Sequence, residues 1–83
     1  MKKTEKQYLI DNIRLNHHIY SHDSKIEYLM NYQIIKMFLD LKLINKKIYD
    51  ELIGLLYTGA YNHQTSNITN AINILRIELN LLT

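Results

Sequence analysis

The chain has 83 residues, 47% of them hydrophobic, with no cysteine and no proline. That length accommodates one domain with a modest core, and the missing cysteines exclude a disulfide framework, a thiolate metal centre and a cysteine nucleophile. The formal net charge of +2 is mild beside a typical nucleic-acid binder, but it is unevenly placed: Met1 to Lys47 holds nine basic and five acidic residues (+4), and the rest one basic and three acidic (−2).

The first segment, MKKTEKQYLIDNIRLN, interrupts its apolar positions with Asp11, Asn12 and Arg14. No signal-peptide core forms, so export by that route is not expected. Thr4 and Gln7 stand at capping-box spacing and predict a helix start there. Tyr8, Leu9, Ile13, Leu15, Ile19 and Tyr20 supply its apolar stripe, and the polar stretch around YSHDS breaks it. Ser24 with Glu27 repeats the capping spacing and predicts a second helix to about Leu41. Its Lys25, Gln33, Lys36 and Asp40 fall on one narrow stripe when wound at about 100° per residue, so most of its girth is expected to be buried.

The third segment, LINKKIYDELIGLLYTGAY, offers Asn45 as N-cap and Ile44 as a staple onto Tyr49. Ile48, Leu52, Leu55 and Leu56, widened by Tyr49, Ile53 and Tyr57, make its dry face. Lys46, Lys47, Asp50, Glu51, Gly54 and Thr58 make the wet one, with Lys46–Asp50 and Lys47–Glu51 at salt-bridge spacing. Gly59 is placed to end the helix in a left-handed conformation. These charges also keep the segment far from the roughly 18 consecutive apolar residues of a membrane span. YNHQTSN then reads as a loop of about seven or eight residues. A fourth helix from about Asn67 sets Ile68, Ile72, Leu75, Leu79 and Leu82 on one seam, broadened by Ile74, Ile77 and Leu81.

Strands compete for the isoleucine-rich INILRIELNLL, but no tight-turn dipeptides accompany it. The expected fold is all-α: a small antiparallel four-helix bundle in which residues 1–83 form a single helical domain. Surplus apolar surface on so small a bundle makes a homo-oligomer one expected state.

Chemistry is sparse. His17, His18, His22 and Asp23, with His63 further on, are the one cluster with metal-ligand character, yet no second ligand pair completes a tetrahedral shell, and a hydrophilic helix end explains them. Asp50 and Glu51 lie on a solvated lysine-bearing face where acid–base tuning has no source. Phosphate-loop and nucleophile motifs are missing. The expectation is a protein that is not an enzyme, with no cofactor and no metal. For DNA binding, the third and fourth helices are too far apart for a helix-turn-helix, and the fourth carries only Arg76. The second and third helices, with the tight turn LKLINKK and the cluster Lys42, Lys46 and Lys47 backed by Lys2, Lys3 and Lys6, form the nucleic-acid alternative, a small DNA-binding or phage or mobile-element regulator. Seven tyrosines on 83 residues suit core edges and partner surfaces alike.

The order of these parts resembles the immunity proteins of pediocin-like bacteriocins, of the enterocin A immunity type. The likeness rests on MKKTEKQ, the polar turn YSHDSK, the long second helix IEYLMNYQIIKMFLDL and above all LIGLLYTGAYN, and it spans Met1 to about Leu79. It implies a cytoplasmic antiparallel four-helix bundle that protects a bacterial cell, acting at the inner membrane face on a bacteriocin–receptor complex without catalysing a reaction. The positions it implies for partner recognition are Tyr57, Tyr61, Asn62 and His63. Another protein is thus the expected partner, either that complex or, with the same physics, the host target of a phage-encoded inhibitor.

Overall fold

The backbone closes four α-helices: α1 (Lys3–Ile19), α2 (Ser24–Asp40), α3 (Lys46–Tyr61) and α4 (Thr65–Glu78). The computed structural model describes residues 1–19 and 23–81, with side chains omitted from 14 to 19. The expected stripe residues Leu15, Ile19, Tyr20 and Leu82 lie outside the described side chains. No strand occurs among the described residues. The all-α expectation holds.

Helix starts follow cap chemistry, not always at the expected residue. Asn45 caps α3 as read: its Oδ1 accepts the Ile48 N–H at 2.9 Å, and Ile44 and Tyr49, the two ends of the staple, are both buried. The α2 cap is Asp23 instead of Ser24, its carboxylate accepting the Ile26 N–H at 3.1 Å. The reason is that a carboxylate also meets the positive end of the helix dipole. Thr4 caps nothing. It lies inside the first turn of α1, where the Lys2 N–H donates to Glu5 Oε1 and Gln7 reaches forward to Asp11.

Helix ends depart further from expectation. Gly59 does not end α3: no glycine has a positive φ, and the helix runs on to Tyr61. The left-handed residues among those described are Lys42, His63 and Asn80, with φ of 61°, 55° and 58°, one after each of α2, α3 and α4. After α2 the Leu43 and Lys42 amides bond back to Phe38 and Leu39, and after α4 the Leu81 and Asn80 amides bond back to Arg76 and Ile77. These are Schellman closures built without glycine. The α3–α4 connection is therefore three residues, Asn62 to Gln64, not seven or eight. Asn67 fastens it, its Nδ2 donating to Thr58 Oγ1 at 2.8 Å and to Gln64 Oε1 at 3.0 Å.

Each helix packs on its chain neighbours, and α1 also meets α4, so the four close into a ring. Tyr28, early in α2, meets Tyr57 and Tyr61, late in α3, whereas Tyr32 meets Tyr49, early in α3. The two helices are therefore antiparallel. The radius of gyration of 11.7 Å matches the roughly 12 Å expected of a packed chain this long. The centre is filled by Ile10 and Ile13 of α1, Ile35 and Phe38 of α2, Leu52 and Leu56 of α3, and Ile68 and Leu75 of α4, the apolar stripes that a 3.6-residue period brings to one side.

Two faces differ from the sequence reading. The burial of α2 is narrower than expected, because Ile26, Leu29 and Met37 remain largely exposed while its inner side takes Glu27 and Asn31. Asn31 is fully buried, and neither its Oδ1 nor its Nδ2 has a hydrogen-bond partner among the described residues. On α4, Ile77 is 60% exposed and does not broaden the seam.

Candidate protein-binding surface

Antiparallel packing of α2 on α3 gathers five tyrosines, Tyr28, Tyr32, Tyr49, Tyr57 and Tyr61, into one chain of ring contacts. Tyr57 and Tyr61, one turn apart, stack with centroids 4.6 Å apart and planes at 33°. Tyr28 backs them from α2, edge-on to Tyr57 at 5.5 Å and 5.9 Å from Tyr61. Tyr32 links Tyr28, at 6.0 Å, to Tyr49, at 6.3 Å. Such offset and edge-on pairs fall within the favoured range for aromatic contacts.

The cluster is graded from dry to wet. Tyr49 is buried, Tyr28 and Tyr32 are half-buried, and Tyr57 and Tyr61 are 50% and 38% exposed. A hydrogen bond with Tyr32, then burial and the neighbouring phenols, push the Tyr49 hydroxyl up to about 12. Burial, then Tyr32, Tyr61 and Tyr57, raise that of Tyr28. Desolvation disfavours the phenolate at both positions. The inner rings thus form a neutral aromatic base on which the outer pair is displayed.

Of the four positions that the resemblance implies for partner recognition, Tyr57 and Tyr61 share this surface, and Asn62 and His63 are exposed at its end in the turn. Reading the sequence identified the tyrosines as surplus but did not connect Tyr28 and Tyr32 to the α3 pair. The signal was Tyr28 and Tyr32 one turn apart, facing a tyrosine-bearing helix across a short connection.

The basic cluster of the nucleic-acid alternative is partly occupied. Lys46 Nζ lies 2.6 Å from Asp50 Oδ1 and 4.7 Å from the centre of the Tyr49 ring. Lys42 forms the left-handed turn after α2, and Lys47 is exposed. No ion pair closes between Lys47 and Glu51. The short α3–α4 connection removes the spacing objection to a helix-turn-helix there, but α4 still contributes only Arg76, which is not fully exposed.

A second surface runs along the seam of α1 and α2. Three shallow depressions share Met37 and are walled by Tyr8 and Leu9 on one side and Met30 and Leu41 on the other. Met1 joins them, so all three methionines of the chain lie on this seam.

Among the described residues no three His, Asp or Glu side chains are grouped to hold a metal ion. His63 stands apart in its turn, and the side chains of His17, His18 and His22 lie outside the description. No helix among the described residues is long and apolar enough to cross a membrane. No protein-family model matches the chain, and neither a curated protein nor a solved structure matches it.

Proposed function

We propose that this bundle is a non-enzymatic protein-binding module, a cytoplasmic immunity protein of the pediocin-like type that acts at the inner membrane face on a bacteriocin–receptor complex. The observation that carries the reading is the stacked Tyr57–Tyr61 pair, half-exposed at the end of α3 and held from behind by Tyr28. Rigid aromatic side chains lose little conformational freedom on binding and bury a large area, which is why they anchor protein interfaces. Here they coincide with positions that the sequence resemblance implies for recognition.

The DNA-binding reading loses ground because Lys46 is tied to Asp50, leaving Lys42 and Lys47 as the free members of the turn cluster. Retention on duplex DNA that falls steeply with salt would restore it, since phosphate contacts release counterions.

Expression in a bacteriocin-sensitive strain tests the immunity reading. Survival is expected against at least one member of a panel of pediocin-like peptides, and Tyr57→Ala with Tyr61→Ala should abolish it while the circular dichroism of the folded chain is retained. Unchanged killing across the panel would reject the proposal.

A further inference from the structure

The outward arc of α2 is more apolar than a solvated helix face, which normally carries charge. Wound at about 100° per residue, the arc has Gln33 at its centre, Leu29 and Met37 one turn to either side, and Ile26 and Leu41 at its ends. All five are exposed, the four apolar ones between 41% and 51%. The row continues onto α1, where the exposed Tyr8 shares a depression with Met37. An apolar row of this extent, rimmed by polar side chains, marks an interaction surface.

The arc carries little net charge with which to choose a charged partner. Its ionic groups are Lys25, Lys36 and Asp40, and Lys36 is bonded to both oxygens of Asp40, at 3.2 and 3.4 Å. Nucleic acid or anionic lipid would call for an unopposed basic rim, which the arc lacks. Its pattern is complementary to itself. A two-fold axis through Gln33 lays Leu29 of one copy against Met37 of the other, twice, and sets Lys25 and Ile26 against Asp40 and Leu41. Apolar meets apolar, and Lys25 approaches the one carboxylate. Gln33 meets Gln33 of the other copy, and two carboxamides can bond to each other because each carries both donor and acceptor. A parallel arrangement would place Lys25 on Lys25 and Lys36 on Lys36, like charges that oppose association.

We infer that this arc takes a second copy of the chain, the two α2 helices packed antiparallel about a two-fold axis at Gln33. Pairing of one patch with itself is the commonest form of assembly among soluble proteins. The 17 residues of α2 give a contact line of about 25 Å, short for a permanent dimer, so the association is weak and reversible. Tyr28, which backs the Tyr57–Tyr61 pair, lies on the α3 side of α2, so the dimer leaves that pair open and presents it twice.

Sedimentation equilibrium of the full chain between about 10 μM and 1 mM tests this. A reversible monomer–dimer equilibrium is expected. Gln33→Glu and Gln33→Lys, at an exposed position where circular dichroism should show the fold intact, are each expected to weaken it at least about tenfold, because like charges then face each other across the axis. Mixing the two variants should restore association as a heterodimer. Met37→Glu should also weaken the dimer, and Tyr57→Ala should leave it unchanged. A chain that stays monomeric at the highest concentration overturns the inference and leaves the arc to another protein or to a bilayer surface. A dimer indifferent to the charge at position 33, or no recovery in the mixture, overturns it as well, since the contact then lies elsewhere.

Discussion

Gly59 and Ile68 meet across the α3–α4 interface so closely that a β-carbon on Gly59 would stand 2.5 Å from Ile68 Cδ1 and 2.7 Å from its Cγ1. Ile68 is itself buried and has little room to withdraw. Gly59→Ala is therefore expected to destabilise by roughly 1–2 kcal/mol, because overpacking outweighs the gain of about 1 kcal/mol in helix propensity. Gly54→Ala, in open solvent on the same helix, is expected to stabilise by about 0.5–1 kcal/mol. Urea denaturation of the two variants measures both. Shifts of the same sign would show that the contact with Ile68 does not govern position 59.

Asn31 has the opposite problem, a fully buried polar side chain with no hydrogen-bond partner among the described residues. A buried amide without hydrogen bonds costs stability that an apolar side chain of similar size does not. Asn31→Leu should raise the thermal midpoint, with a gain of roughly 1–2 kcal/mol. A lower midpoint would mean that the amide is satisfied in solution, for instance by an internal water.

Leu52 and Leu75 are fully buried on facing helices, so Leu52→Asp or Leu75→Asp places a carboxylate where no cation waits. Either change should cost more than about 4 kcal/mol, enough to unfold a domain this small. Far-ultraviolet circular dichroism at 25 °C is the readout. A helical spectrum with an unchanged melting curve would show that these leucines are not in the core.

Alkaline pH probes the inner end of the tyrosine cluster. The Tyr49 hydroxyl titrates at about 12 in the fold and near 10 when the chain is unfolded. The unfolded state therefore releases its proton first. Stability from this group is fully present below about pH 10 and declines as pH rises towards 12. Denaturation midpoints measured from pH 8 to 12 should fall over the upper half of that range, and Tyr49→Phe should flatten part of the fall. An equally steep decline in the variant would assign the effect to other tyrosines.

Much of the fold was legible because it is written in periodicity. The apolar residues of α3 and α4 recur at helical spacing, and Asn45 with Ile44 announces its own helix start. Boundaries set by backbone conformation were harder to read. The rule that glycine ends a helix pointed to Gly59, whereas the chain turns left-handed at Lys42, His63 and Asn80; asparagine is a residue type that adopts this conformation readily, but lysine carries little signal for it. Gly59 is instead required by the approach of Ile68, a contact nine residues away that no local pattern encodes. Asn31 is hard to read for another reason, since its polarity marks it for solvent, whereas Ile77 lies opposite the Ile68–Leu79 seam at about 100° per residue and is left outside by helical spacing itself. Of the candidate surface, Tyr57 and Tyr61 were singled out only by the family resemblance, while Tyr28 needed the packing of α2 against α3 to be known.

The ring of helices has a kinetic consequence. Because α2 rests on α1, α3 on α2 and α4 on α3, with one further closure between α1 and α4, nearly every interface joins segments adjacent along the polypeptide. Little loop entropy stands between the random coil and the first productive encounters, and assembly in microseconds to milliseconds is the regime of such topologies. A nascent chain leaving the ribosome could dock each hairpin as it emerges and wait only for its last helix to shut the barrel of side chains.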